Sequence, residues 1–290
     1  MKNFSRRSFI SKSGMGLTAS VALSGLSFPA FLRNMGLVIE TPFGFQSWIV
    51  RDMLAKDFPG TLKIMSSEGY QLIEMCSPEG YVDSGFGPLT KIKPADMKKI
   101  INDAGLSCPS CHFGFDELND HLDERIEWSK QMGLSVMVCS SFDLPKTAVL
   151  DDYLKAADKL NKAAEKIKKA GMQTGYHNHT MEFAKQDNQL IYDALMNRFN
   201  PDLIKMQFQT QVITLGYKAS TYFNKYPGRF ISSHLSDWTA DNKEVPIGQG
   251  IIDWKEFFAA AKTGGVKYFY VEMKFETMAP SAAYLKQLTL

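Results

Sequence analysis

Four of the five histidines stand where short apolar runs of the sequence end, and several carboxylates and amides stand beside them. Glu74 lies in Leu-Ile-Glu-Met-Cys, and His112 closes Cys-Pro-Ser-Cys-His. His177, His179 and Glu182 follow one another in Tyr-His-Asn-His-Thr-Met-Glu-Phe. Gln207 and Gln209 sit in Met-Gln-Phe-Gln, His234 precedes Asp237 in His-Leu-Ser-Asp, and Glu272 stands in Tyr-Val-Glu-Met-Lys. His121 alone falls in a helix-patterned stretch. Imidazoles and carboxylates at the ends of apolar runs are costly to desolvate unless they are paired or metal-bound. Any one of them is explained by a structural hydrogen bond or a salt bridge to a loop; the set together points to a functional site. His and carboxylate donors suit a divalent metal such as Zn, Mn or Co. Such a metal would polarise a substrate carbonyl or hydroxyl while a carboxylate moves a proton on the adjacent carbon.

These residues need a scaffold that gathers the run ends. The candidate strands are Phe45–Trp48, Leu72–Cys76, Ser107–His112, Ser135–Ser140, Met172–His177, Ile204–Gln209, Phe230–His234 and Lys267–Glu272. Helix-patterned stretches lie between them. Lys93–Ala104 has Pro94 in its first turn and Gly105 after it; Asp151–Ala170 has apolar residues at helical spacing and stops at Gly171; Asp253–Lys262 opens on an acid and ends in Gly264-Gly265. The run ends recur about every 32 residues, eight times. That rhythm fits an α/β fold of the (β/α)8 TIM-barrel type, which takes roughly 250 residues. A doubly wound open sheet would put a Gly-rich phosphate loop after its first strand, and nothing of that kind follows Phe45-Gln46-Ser47-Trp48. No long Pro/Gly/Ser linker divides the chain after residue 41, so 41–290 are expected to form one domain. In a barrel, chemistry is built at the C-terminal strand ends.

Four segments carry a resemblance. Gly-Tyr-His-Asn-His-Thr-Met-Glu-Phe (175–183), Pro-Gly-Arg-Phe-Ile-Ser-Ser-His-Leu-Ser-Asp (227–237), Ile-Gly-Gln-Gly-Ile-Ile-Asp-Trp (247–254) and Tyr-Phe-Tyr-Val-Glu (268–272) come in a telling order and spacing. From about residue 44 to 275 the chain resembles the xylose-isomerase-like superfamily of sugar phosphate isomerases/epimerases, which includes inosose dehydratase and the ketose 3-epimerases. The resemblance implies a barrel with one divalent metal held by Glu, Asp, His and Glu from strands five to eight. His234 stands at the position of the family's metal His, and Glu272 at that of its last metal Glu. Two positions depart. His177 replaces the fifth-strand Glu, unless His179 or Glu182 swings in, and Gln209 replaces the sixth-strand Asp. A Gln carbonyl coordinates without adding negative charge, so a His177/Gln209/His234/Glu272 set suits Zn better than Mg or Mn.

The implied reaction is metal-assisted proton transfer beside a carbonyl. Glu272 and Glu182 are the candidate acid–base pair, acting on opposite faces of a sugar carbon to isomerise or epimerise it. With a leaving group on the next carbon, the same enediolate would eliminate, giving a lyase or dehydratase on a keto-sugar or inosose. His112, His179 and Glu74 are then expected to hydrogen-bond substrate hydroxyls. Trp48 and Phe113 either pack on a sugar face or belong to the core. The loop at Gln249-Gly250 either closes over the site or is a plain turn. Arg229 precedes its strand, which puts it at the bottom of the barrel in a structural ion pair.

Composition narrows the substrate and the compartment. The 290 residues carry 33 Lys+Arg and 31 Asp+Glu, a net charge of +2, with 44% apolar residues. Disordered, collagen-like and disulfide-dense classes are excluded. The basic excess sits in the first 39 residues, which contain no acid. Ser5-Arg6-Arg7-Ser8-Phe9-Ile10, a mildly apolar run from Gly14 to Phe31 and a small-residue end near Ala30 form the pattern of a twin-arginine signal peptide over 1–31. A linker over 32–40 follows. Cleavage after Ala30 leaves 29 bases against 31 acids. An exported, periplasmic protein is the expectation, with no stable membrane span once the leader is gone. A slightly acidic barrel also disfavours nucleic acid, and a nuclease on this fold would need more His and acids for a three-metal cluster.

The expected partner is a small-molecule sugar, free, keto- or glycosidic, because no basic cluster at the strand ends recommends a phosphorylated one. A homo-oligomer stays open. Cys76, Cys108, Cys111 and Cys139 lie at or near strand ends; a pair such as Cys76 with Cys111 is sterically open, but buried thiols are the expectation. Gln209 in place of an acid keeps a second function class in view, a sugar-binding barrel without turnover.

Overall fold

The computed structural model describes residues 42–288 apart from 187. The expected signal peptide (1–31) and linker (32–40) lie outside the described residues. Eight parallel strands close into a barrel: β1 (Phe43–Gln46), β2 (Leu72–Cys76), β3 (Ser107–Phe113), β4 (Val136–Cys139), β5 (Gln173–His177), β6 (Ile204–Gln209), β7 (Phe230–Leu235) and β8 (Tyr268–Val271). Each strand pairs with its sequence neighbours, and β8 closes on β1 through Phe43↔Phe269 and Phe45↔Val271. This is the expected single-domain TIM barrel.

Strand alternation explains how so apolar a sheet presents a polar interior. In β6, Met206 and Phe208 pack outward into the core under the helices, so Gln207 and Gln209 point inward. In β5 Tyr176 faces outward, and His177 faces inward. The same period of two sends Glu74, Ser110, His112, Ser232 and His234 into the barrel. Lower down, Val136, Val138 and Ile231, with Tyr268 against them, form a small apolar plug separate from the outer core.

The helices supply the outer layer. Leu150–Lys169 buries Tyr153, Ala157, Leu160, Ala164 and Ile167 on one stripe. Asp253 caps Trp254–Gly264 by accepting from the amides of Lys255 and Glu256, an arrangement worth about 1 kcal/mol. No described helix is long and apolar enough to cross a membrane.

Three local expectations need correcting. The first strand ends at Gln46, not Trp48. The Gln46 side chain accepts from the Trp48 amide at 2.9 Å and turns Ser47–Val50 into a short 3-10 helix. His121 is the exposed junction between the helices Phe115–Asp120 and Leu122–Met132 rather than a helix-face residue. Arg229 lies where expected but donates Nη2 to the carbonyls of Met196 and Phe199, not to a carboxylate.

Candidate active site

The inward side chains of the strand ends converge on a cavity of about 640 Å³ at the C-terminal mouth. Its deep wall includes Cys76, His112, His177, Gln209 and Glu272. Loop residues Trp48, Tyr81, Asp143, Gln211, Trp238 and Glu244 form its outer part. Such a volume falls within the range of small-molecule sites.

Glu74 is the electrostatic centre beneath this cavity. It has no exposed surface. Its Oε1 accepts from Ser110 Oγ (2.6 Å) and Gln207 Nε2 (2.8 Å), and its Oε2 from Gln46 Nε2 (3.0 Å) and His234 Nε2 (2.5 Å). His112 Nε2 stands 3.2 Å from the same Oε2. Burial alone would raise the Glu74 pKa, but His112 and His234 hold it well below the usual carboxylate value. A buried carboxylate survives when donors satisfy it in this way. The expectation that Glu74 binds substrate hydroxyls is therefore corrected: its oxygens are occupied, and it does not line the cavity.

His234 is clamped between two carboxylates. Nε2 meets Glu74, and Nδ1 meets Glu272 Oε2 at 2.9 Å. Burial would depress its pKa, but Glu272 and Glu74 push it up to about 10. Glu272 also accepts from Gln209 Nε2 at 2.6 Å. Burial raises its carboxyl and the histidines, His234 foremost, pull it back below the ordinary value. His177 is the opposite case. Burial and the imidazoles of His234, His179 and His112 hold it neutral, and its Nδ1 is buried without a partner.

One ring nitrogen from each of His112, His177 and His234 lies within 4.8 Å of the other two. Of the expected ligands, His177 and His234 fall in this cluster together with His112, while Gln209 and Glu272 are bonded to each other beside His234 and line the same cavity. The donors fit a borderline metal: imidazoles, one carboxylate and an amide oxygen. The unpartnered Nδ1 of His177 is a vacant donor, and Glu74 on His234 Nε2 supplies the outer carboxylate that orients a ligating imidazole.

His112 takes a defined tautomer. Gln207 donates its Nε2 to Glu74 and to Ser232 Oγ, so its Oε1 faces His112 Nε2 at 2.6 Å. Nε2 therefore carries a hydrogen, and Nδ1 is the nitrogen left to gain or lose one.

Glu182 does not join the site. Its Oε1 accepts from Tyr176 Oη at 3.0 Å and its Oε2 from the His179 amide at 2.8 Å, so the carboxylate ties down the loop after β5. The expectation of a Glu272/Glu182 pair is corrected for that reason. His179 does line the cavity, with a buried, unpartnered Nδ1. Trp48 lines it too, whereas Phe113 is buried edge-on against Trp128 and belongs to the core. The four cysteines are free; burial raises every one of their thiols, Cys108 to about 12.

Two functional residues were missed as such. Asp237, fully buried, accepts from the amides of Gly248 (2.9 Å), Gly250 (3.1 Å), Ile252 (3.3 Å) and Trp238 (3.0 Å) and from Trp254 Nε1 (2.9 Å). A Cβ at Gly250 would collide with its carboxylate, and Gly248 has a φ of +89°. Those two constraints explain Ile-Gly-Gln-Gly, and they make the Gln249-Gly250 segment a wrapped turn. Trp238, the second missed residue, follows Asp237 and faces the cavity; an aromatic directly after a polar strand end was the available signal.

Residues 62–288 match the family described as xylose isomerase-like TIM barrel. No protein of curated function matches the chain. A sugar phosphate isomerase/epimerase from Parabacteroides distasonis superposes with a TM-score of 0.73 at 24% identity, over 86% of this chain and 96% of that one. The IolI protein with bound zinc gives 0.63 at 15%, over 85% and 94%. L-ribulose 3-epimerase gives 0.58 at 16%, over 86% and 89%. At these identities the likenesses show the fold. On the strength of the family match, the chain belongs to the xylose isomerase-like TIM barrels.

Proposed function

We propose that this barrel is a sugar isomerase or epimerase that moves a proton on the carbon beside a carbonyl, acting on a non-phosphorylated sugar. The observation that carries the reading is Glu272: a partly buried carboxylate, kept ionised by His234, at the wall of a polar cavity. In the barrel order, β8 lies opposite β4, whose neighbours β3 and β5 carry His112 and His177. A sugar seated over these strand ends meets Glu272 towards β8 and His112 towards β3.

Glu272 is the group assigned to take the proton. The His112 imidazolium gives its Nδ1 proton to the opposite face and is left with the Nε2 hydrogen that Gln207 holds, while Glu272 passes the proton it took to solvent; the nearby Glu74 stabilises the imidazolium before the transfer. This replaces Glu182 in the pair. His177, Gln209, His234 and Glu272 would hold a Zn, Mn or Co ion. When bound, the ion polarises the carbonyl oxygen and so lowers the cost of the adjacent carbanion. His179 and Trp48 line the wall where substrate hydroxyls and a ring face would rest. General acid–base groups of this kind contribute about 10² to 10⁴ in rate. If the carbon next to the enediolate carries a leaving group, the same geometry expels it, and the chain acts as a lyase.

The test is a panel of keto-sugars and glycosides followed by NMR, with and without EDTA. Conversion that EDTA abolishes and Zn or Co restores is the expected result. Neither conversion nor bound metal across the panel would remove the reading and leave a binding barrel. An exported, periplasmic location belongs to the same proposal, resting on the Arg6-Arg7 leader.

A further inference from the structure

Resting on the reading of the mouth as a sugar site, we propose that the cavity contains an outer subsite and takes a neutral saccharide of two rings. A hexopyranose has twelve non-hydrogen atoms. Even if each atom took the ~30 Å³ that a whole water occupies in the liquid, one ring would fill no more than about 360 Å³. The cavity measures about 640 Å³. One ring against the strand ends leaves at least about 280 Å³ outward of it, among the loops, and bonded atoms pack closer than liquid waters, so a second ring has room there.

That outer space is built for an uncharged ring. Among the lining residues there is no Lys or Arg, while Asp143, Glu244 and Glu272 are acids. A phosphate or carboxylate on the distal ring meets repulsion there and no cationic partner. Hydroxyls, by contrast, find acceptors in Asp143 and Glu244 and an amide in Gln211.

The aromatic residues give the subsite its place. Trp48 and Trp238 come from the loops after β1 and β7, and these strands flank β8, which leads into Glu272. The indoles therefore stand on either side of the carboxylate assigned to the chemistry. Trp48 is fixed by the Arg51 guanidinium, 4.4 Å from its ring centre, and by Phe86 lying near-parallel at 6.4 Å. Trp238 is fixed differently. Its Nε1 donates to Ser236 Oγ at 3.0 Å and its amide to Asp237 Oδ1 at 3.0 Å. Among the described residues no aromatic ring stacks on it. A half-buried indole, anchored by its polar edge and bare of aromatic partners, is the surface on which the C–H face of a pyranose packs. The inner ring lies against Glu272, Gln209 and the imidazoles, and the outer ring on Trp238.

The test compares glucose and galactose with maltose, cellobiose and lactose in calorimetric titrations of the full chain. A parallel incubation of glucose, fructose and the same disaccharides in D₂O follows deuterium uptake. The best disaccharide is expected to bind about tenfold more tightly than its single ring, with Trp238→Ala shrinking that ratio towards one and Trp238→Phe preserving it. Maltose 6′-phosphate should bind about tenfold more weakly than maltose. Equal affinity for one and two rings in the wild-type chain overturns the outer subsite, whatever the variants do. The two readings fail separately. Deuterium uptake by a single-ring sugar without any two-ring preference removes the subsite alone, whereas two-ring preference without deuterium uptake by any sugar counts against the isomerase reading and leaves the subsite standing.

Discussion

Glu74 and Asp237 both lie out of reach of solvent, yet one is held by side chains and the other mainly by backbone. Glu74 gathers donors from β1, β3, β6 and β7, three of them side-chain amides or a ring nitrogen just beneath the site. Asp237 gathers four backbone amides and one indole N–H from its own neighbourhood in sequence. The first arrangement spends buried charge on orienting reactive groups; the second spends it on the shape of a loop. Side-chain donors carry protons that chemistry can use, and backbone amides do not titrate. Removing either charge should therefore be felt in different observables.

The largest effect is expected at the cavity face of the Glu74 network. Glu272→Gln should lower turnover by about 10³-fold while leaving the circular dichroism spectrum unchanged. Loss of the fold, or retention of activity, would detach Glu272 from the chemistry. Glu74→Gln comes next. It leaves the His234 imidazolium short of one counter-charge, and breaking a buried pair costs about 3 kcal/mol, to be read from the urea midpoint. Asp237→Asn keeps one acceptor oxygen but not the charge. Its expected cost is about 1–2 kcal/mol, with the loop 246–252 gaining amide exchange and the barrel interior not. If the exchange spread to β2 and β7 equally, the separation between the two carboxylates would be lost.

A pH series sharpens the contrast further. The pKa of His234 is raised in the folded chain, so its share of stability is full below its unfolded value of about 6.5 and is lost as pH rises towards about 10. With EDTA present, the urea midpoint should fall across that window in the wild type. In His234→Gln, the decline should be shallower. The same alkaline decline in the variant would assign it to other groups.

The fold was legible because eight short apolar runs end about every 32 residues and Gly or Pro marks most helix ends between them. Trp48 misled for a physical reason: it prolongs the apolar run, while the Gln46 side chain has already turned the backbone. At the site, residue type was legible and direction was not. Glu182 has the same chemistry as Glu272 but lies in the turn that follows β5, where the Tyr176 hydroxyl and the His179 amide hold its carboxylate. Glu74 was visible as a strand-end acid, yet its saturation depends on Gln207 and His234, more than a hundred residues distant. Asp237 left a trace in the alternate glycines at 248 and 250, which only make sense once the carboxylate they enclose is seen.

The central claim is that Glu272 removes a proton from carbon beside a carbonyl and that the proton exchanges with solvent. Mass spectrometry of substrate and product recovered from D₂O tests it most directly. The account predicts one deuterium at that carbon with the wild-type chain and none with Glu272→Gln. Product formed with its original hydrogen retained would contradict it.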